Sequence, residues 1–167
     1  MQLENINQKN FGYKEFFFSQ TAIDNDIDNQ AELFKQSDYK QYLLNGIYLA
    51  KKIQELRDKM NSCKKLKELV FSDEIQINIT SCYRCPEINK LVGGRPTSQH
   101  TRFQAIDFRI NNIRDLQQLK QIALWIKEQK IKVDQCLVEA NWIHLSIKSE
   151  GNRNMFGTFI NNTFTAF

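Results

Sequence analysis

The stretch GGRPTSQHTRFQAIDFRI, residues 93–110, contains one of the two histidines of this chain, His100, and an aspartate seven residues later, Asp107. The second histidine, His144, lies far downstream in NWIHLSI, residues 141–147. A chain so poor in histidine therefore places each imidazole in or beside a segment with the alternation of a β-strand, and one of these segments also carries a carboxylate.

Both segments alternate between an apolar and a polar face, because successive side chains of a strand point to opposite sides. The residues predicted to be buried in the core are Ile106, Phe108, Ile143 and Leu145. Asp107 and His144 lie on the opposite faces of their strands, and His100 lies in a loop just before the first strand. The alternation thus predicts that polar groups open onto a cleft while the apolar faces build the core.

Two imidazoles and one carboxylate make a three-ligand zinc site with an open fourth position, which is the catalytic pattern. A water in that position has a pKa lowered toward ~7, and a nearby acid such as Glu139 can take its proton. Each residue alone also fits an ordinary role. A lone histidine on a strand is often a surface or core residue, and Asp107 can pair with Arg109 or cap a turn, so the spacing leaves both interpretations open.

Periodicity along the rest of the chain predicts an α+β domain with a small, antiparallel-rich sheet and flanking helices. The predicted helices cover about 38–60, 86–92 and 113–130, and the predicted strands cover 74–83, 104–110, 132–140 and 142–148. The basic segment NSCKKLKE is predicted to lie at a solvated helix end. We expect one domain over residues 1–167, with residues 1–36 as a lead-in packed on it.

Composition excludes several classes of function. The net charge is +4 and the basic residues are scattered, so nucleic-acid binding is not favoured, although an anionic cell-wall polymer is compatible. The N-terminus lacks the basic and apolar regions of a signal peptide, and no apolar run is long enough to span a membrane. We expect a monomer that is made as a soluble cytoplasmic protein and reaches any target outside the cell with the help of another factor.

The chain has four cysteines, and Cys82 and Cys85 form a C-x-x-C motif in TSCYRCPEIN. The motif is compatible with a redox pair or with half of a zinc knuckle, but no second pair of ligands has matching spacing. The alternative is a set of free thiols in a reducing compartment.

Three separated blocks resemble the zinc D-Ala-D-Ala carboxypeptidase and phage endolysin family of peptidoglycan peptidases, in its single-domain branch. SQHTRFQAID resembles S-x-H-x-x-G-x-A-x-D, VEANWIHLSI resembles an acid followed by W-x-H, and TSCYRCPEINKLVGGRPTSQH resembles S-x-Y-R-x-x-x-x-N-x-x-V-G-G-x-x-x-S-x-H. The resemblance implies the small α+β zinc-peptidase fold that the Hedgehog signalling domain shares.

The resemblance also implies a role for each matching residue. The zinc ligands would be His100, Asp107 and His144. Glu139 would be the catalytic acid/base, and Arg84 would bind and polarise a substrate carbonyl or terminal carboxylate, as its fork of donors allows. The residues that would contact the substrate or support the ligands are Tyr83, Ser98, Trp142 and Ser146.

The expected activity is zinc-dependent hydrolysis of a peptidoglycan stem peptide, either at the terminal D-Ala-D-Ala bond or at an internal bond, in a phage or prophage lysis enzyme. Phe103 stands where the motif has glycine, so it is expected to narrow the cleft or shift His100. This departure keeps open a zinc-bearing binding or structural module without turnover. A cysteine-based redox protein is the third hypothesis.

Overall fold

The computed structural model describes residues 2–113 and 115–167. Its α-helices are α1 (Gln20–Asp24), α2 (Asn29–Phe34), α3 (Tyr39–Asn61), α4 (Lys64–Val70), α5 (Pro86–Leu91) and α6 (Leu116–Glu128). Its strands are β1 (Ile77–Ser81), β2 (Ala105–Ile110), β3 (Gln135–Glu139), β4 (Trp142–Ser146), β5 (Met155–Ile160) and β6 (Thr163–Ala166). Short 3-10 helices cover Leu3–Ile6, Tyr13–Phe17 and Gln99–Arg102.

The strands form one six-stranded sheet in the order β1-β2-β4-β3-β5-β6. Strand β3 pairs antiparallel with β4 and parallel with β5, and β5 pairs antiparallel with β6. The fold is therefore α+β with a mostly antiparallel sheet, which confirms the predicted fold class.

Each predicted helix and strand is present, with shifted ends. Helix α6 begins at Leu116, where the prediction began at 113, because Asp115 is its N-cap and its side chain accepts a hydrogen bond from the backbone N–H of Gln117 at 2.7 Å. Arg114, which fell inside the predicted helix, lies outside the described residues. The sequence did not predict α1, α2, α4, β5 or β6.

The basic segment NSCKKLKE runs from Asn61, the last residue of α3, into the first turns of α4, and Lys64 and Lys65 are exposed, which agrees with the predicted solvated helix end. Leu66 and Val70 lie four residues apart on this helix and are both buried. The neighbouring Lys64, Lys65 and Lys67 obscured this short apolar stripe, since a seven-residue helix offers only two buried positions to recognise.

The residues divide into two compact units, and the first comprises Met1–Gln54 and Ile79–Ile106. Its N-terminal helices begin at capped positions: the hydroxyl of Ser19 accepts from the N–H of Ala22, and the carboxylate of Asp28 accepts from the N–H of Ala31. An aromatic cluster fills its core. The ring pairs are Phe11–Phe16, Phe17–Tyr83, Phe17–Phe103 and Tyr83–Phe103, with centroids 5.3–6.2 Å apart.

The second unit comprises Glu55–Asn78 and Asp107–Phe167. Helix α6 packs on β3, β4 and β5 and buries its apolar stripe. The buried stripe of α6 consists of Leu119, Ile122, Ala123 and Ile126. Of the four residues predicted for the core, Phe108, Ile143 and Leu145 belong to this unit and Ile106 to the first, and all four are at most 1% exposed.

A buried carboxylate joins the loop before β3 to the segment before β5. Asp134 is fully buried, and its carboxylate accepts from Nζ of Lys148 at 2.8 Å and from the guanidinium of Arg153. Burial alone would raise the pKa of Asp134, but hydrogen bonds from Arg153 and Lys148 outweigh it and lower the pKa to about 2. This cluster stabilises the second unit as long as the carboxylate is charged.

Candidate metal centre

Strands β2 and β4 each present one polar side chain of the candidate site. Nδ1 of His144 lies 2.8 Å from Oδ1 of Asp107, and the two side chains are 13% and 11% exposed. Asp107 therefore faces His144. Arg109, the alternative partner considered for Asp107, has a guanidinium that donates to Oδ1 of Asn141 at 3.1 Å.

His100 lies in the short 3-10 helix Gln99–Arg102, which Ser98 caps by accepting from the backbone N–H of His100 at 3.3 Å. The ring Nδ1 is 2.7 Å from the carbonyl oxygen of Cys82. A carbonyl oxygen only accepts, so Nδ1 carries the proton and the ligand atom of the neutral ring is Nε2. Such an outer hydrogen bond fixes the tautomer and orientation of a metal-binding histidine.

The predicted ligands His100, Asp107 and His144 each offer one ligand atom, and these atoms all lie within 4.8 Å of one another. Zinc bonds of ~2.0–2.1 Å in a tetrahedral site put ligand atoms about 3.3 Å apart, so the spread is compatible with one ion after small adjustments. Two imidazoles and a carboxylate are also a donor set that zinc accepts. The three residues therefore fit a zinc ion.

Glu139 is the last residue of β3 and lies on the same sheet face as His144. The β3–β4 register pairs Glu139 with Trp142 and Leu137 with His144, so Glu139 is diagonal to His144 across the hairpin. Diagonal neighbours in an antiparallel pair are about 7–8 Å apart. Glu139 is half-buried and is not one of the three residues that offer ligand atoms.

Arg84 lies in the irregular segment that follows β1 and is half-buried. Its Nε donates to the hydroxyl of Ser81 at 2.7 Å, and its backbone N–H donates to the carbonyl of His100 at 3.3 Å. The backbone of the predicted substrate-binding arginine is thus tied directly to a predicted zinc ligand.

Phe103 occupies the motif position that is glycine in the family, and its backbone has a left-handed conformation that glycine adopts readily. Its φ of 56° and ψ of 38° are left-handed, a region that is costly for residues other than glycine. The ring is fully buried and packs against Phe17, Tyr83 and Gly46. The Phe103 side chain therefore packs in the core of the first unit, and this packing explains why a large residue stands at the glycine position of the motif.

The remaining predicted site residues differ in exposure. Trp142 and Ser98 are half-buried. Tyr83 and Ser146 are fully buried, and neither hydroxyl has a hydrogen-bond partner among the described residues. Burial raises the pKa of the Tyr83 hydroxyl. The Tyr83 ring packs against Phe17 and Phe103 in the core of the first unit.

Cys82 and Cys85 are not joined in a disulfide, and both residues are fully buried. The thiol of Cys82 donates to the carbonyl of Ala105 at 3.2 Å, and burial raises the pKa of the Cys85 thiol. Reactive cysteines need an accessible, easily ionised thiol, so this placement favours the structural interpretation of the C-x-x-C motif.

A family model described as Peptidase M15 matches residues 9–146, which is most of the chain. The chain belongs to the peptidase M15 family. Membership confirms the recognition of a zinc D-Ala-D-Ala carboxypeptidase-like family from the three motif blocks. The M15 match contains all the residues predicted for the site, from Tyr83 to Ser146.

Among curated proteins, the sequence finds no significant match. In the part of the chain that the structure describes, no helix combines the length and apolar character needed to cross a membrane.

Sequence reasoning missed one residue close to this M15 site. Asn29 is buried, and its side chain bonds the backbone on either side of Arg84. In the sequence it stands in the run DNDIDNQ, where asparagine and aspartate suggest turns. Only the folded chain shows that this amide reaches residues more than fifty positions away.

Proposed function

We propose that this M15 family member is a zinc peptidase that hydrolyses peptide bonds in the stem peptides of bacterial peptidoglycan. The observation that carries the proposal is the convergence of one ligand atom each from His100, Asp107 and His144 within 4.8 Å. The donor set is the open, three-ligand kind that catalytic zinc uses. Membership in a peptidase family supports peptide hydrolysis as the reaction.

The three ligands would hold zinc, which supplies a Lewis acid for the substrate carbonyl and lowers the pKa of a bound water. Within the chain, the carbonyl of Cys82 orients the His100 ring through Nδ1. Asp107 and His144 already face one another at 2.8 Å. Metal binding would replace this contact between two ligand side chains with bonds to the ion.

Glu139 is proposed as the group that moves protons. It shares a sheet face with His144 and is half-buried, so its carboxylate is suited to take a proton from the attacking water and to pass it to the leaving amine. It is outside the set of ligand atoms, which separates proton transfer from metal binding.

Arg84 is proposed to bind the substrate carbonyl or a terminal carboxylate. Guanidinium groups present donors in a fixed planar fork, which suits both oxygens of a carboxylate and stabilises negative charge that develops during attack. The bond from Nε to Ser81 restricts the orientation of this fork.

Among the other predicted contacts, Trp142 has the strongest support, because it is half-buried and shares the face of Glu139 and His144. Ser98 supports the backbone of His100. Tyr83 and Ser146 are proposed to support the fold around the site, as their full burial favours packing over substrate contact.

The proposed setting is phage or prophage lysis, in which the chain acts on the cell wall as a monomer after another factor has released it. The three motif blocks, which resemble those of phage endolysins, support this setting. The zinc peptidase would occupy residues 1–167 as one domain.

Incubation of the zinc-loaded protein with purified peptidoglycan tests the proposal. Mass spectrometry of the released fragments distinguishes the possible outcomes. Release of D-alanine indicates a carboxypeptidase, and release of larger stem-peptide fragments indicates an endopeptidase. Zinc binding without any released fragment would instead indicate the binding or structural module.

A further inference from the structure

The side chain of Asn29 makes three hydrogen bonds to distant backbone groups. Asn29 is the first residue of α2 and is 4% exposed. Its Nδ2 donates to the carbonyl of Phe17 at 3.0 Å and to the carbonyl of Tyr83 at 2.8 Å, and its Oδ1 accepts from the N–H of Cys85 at 3.0 Å. Both amide protons and one acceptor position are therefore used.

Two of these partners flank Arg84 in the chain. The segment 82–85 follows β1 and has no regular secondary structure, so its backbone groups need other partners. Asn29 supplies them on both sides of Arg84, and Phe16 adds a further bond by accepting from the N–H of Tyr83 at 3.0 Å.

The same segment also contacts His100. The carbonyl of Cys82 binds the His100 ring, and the N–H of Arg84 binds the His100 carbonyl. A short irregular segment thus presents the proposed substrate-binding group and orients a proposed metal ligand. Errors in its backbone would shift the guanidinium, and small misplacements in a catalytic site can cost as much as ~10²-fold in rate.

We propose that Asn29 is a positioning residue that acts through Arg84, holding the backbone on both sides of it so that the guanidinium meets the substrate. This inference rests on the proposed peptidase function. It assigns Asn29 no contact with the metal or the substrate.

The chain offers a matched control in Asn61. Its Nδ2 donates to the carbonyls of Arg57 and Ile75, and its Oδ1 accepts from the N–H of Ile75 at 2.9 Å. Asn61 therefore makes the same three kinds of bond as Asn29, but to backbone that carries no proposed site residue. The Asn61→Ala variant therefore measures the effect on stability of removing such an amide away from the site.

The test is a double-mutant cycle on peptidoglycan cleavage. Asn29→Ala and Asn61→Ala are made in the wild-type and in the Arg84→Ala background, with zinc content, melting temperature and kcat/KM measured for each. We expect both asparagine variants to melt at lower temperature and to retain zinc. Only Asn29→Ala should lower kcat/KM, by about 10-fold or more, and this loss should largely disappear in the Arg84→Ala background.

Asn29→Ser, which keeps one donor, is measured in the same way in case the alanine variant does not fold. An equal loss of kcat/KM for Asn29 variants in both backgrounds would overturn the inference, as would wild-type kcat/KM in Asn29→Ala. Failure of both Asn29 variants to fold would also overturn it, since the residue would then be a determinant of folding. If the wild-type protein cleaves nothing, the proposed function itself fails, which is a separate result.

Discussion

The ring of Phe103 packs against Gly46, and a Cβ atom at Gly46 would lie 2.7 Å from Cε1 of that ring. Gly46 lies within α3, where glycine is otherwise unfavourable. The absence of a side chain at Gly46 makes room for the large residue that replaces the glycine of the family motif. The two positions are therefore coupled through packing.

We expect Gly46→Ala to destabilise the protein by about 1–3 kcal/mol, because the added methyl group overlaps a ring that is fully buried. Urea unfolding measures the loss. In the Phe103→Leu background, where a smaller side chain faces the helix, Gly46→Ala should cost less. An equal cost in both backgrounds would contradict the coupling.

Phe103→Gly restores the family motif, but we expect it to destabilise the protein. Glycine would relieve the left-handed backbone by about 1–2 kcal/mol, whereas loss of a buried phenylalanine costs about 3–5 kcal/mol. The net change in the free energy of unfolding should be a loss of a few kcal/mol, measured by urea unfolding. A stabilised variant would show that strain outweighs packing at this position.

The acid sensitivity of the second unit should depend on Asp134. Its pKa is lowered from 3.8 to about 2, so its contribution, about 2 kcal/mol, is fully present above about pH 4 and is lost as the pH falls toward 2. Asp134→Asn should therefore reduce stability at pH 7 and reduce it progressively less below pH 4. Denaturant unfolding from pH 2 to 7 measures this, with exposed Asp73→Asn as the control, which should match wild type throughout.

Zinc content should depend on the histidines and not on the cysteines. Purified wild-type protein should carry about one zinc per chain, and His144→Ala should lose most of it because two ligands hold zinc poorly. The Cys82→Ser and Cys85→Ser variants should keep their zinc, since neither buried thiol belongs to the group of candidate ligands. Metal analysis by mass spectrometry checks both expectations. Full occupancy in His144→Ala would refute the ligand assignment.

Arg84→Ala should lower kcat/KM for peptidoglycan cleavage by about 10²-fold while zinc stays bound, because a single donor to a developing oxyanion contributes about that much. Arg84→Lys should recover only part of the loss, since an ammonium group lacks the planar fork. Arg109→Ala is the control, because Arg109 is exposed and donates to Asn141. If Arg84→Ala cleaved peptidoglycan at the wild-type rate, Arg84 would have no role in the mechanism.

The sequence predicted the elements that carry strong periodicity. The alternation around Asp107 and His144 placed both residues on polar strand faces, and the long apolar stripe of α3 marked that helix within about one residue of its ends. The C-terminal hairpin was missed. Its signal was the pair Asn161-Asn162, whose φ angles of 51° and 60° suit a tight hairpin turn.

The sequence predicted only part of the candidate site. His100, Asp107, Glu139 and His144 follow from residue type and spacing together with the family motifs. The packing of Phe103 against Gly46 and of Tyr83 against Phe17 and Phe103 did not follow from the sequence. These contacts join distant positions, 57 residues apart for Phe103 and Gly46, and depend on the whole fold. The hydrogen bonds of Asn29 were hidden for the same reason.

The most direct test of the central claim compares cleavage of purified peptidoglycan by wild-type protein and by Glu139→Gln, with zinc measured in both. Glutamine keeps the size of the side chain and removes its basic carboxylate. General acid–base groups typically contribute ~10²–10⁴-fold, so the variant should cleave slower by about that factor and keep its zinc. Equal cleavage by the two proteins, or a wild-type protein that binds zinc and cleaves nothing, would contradict the account.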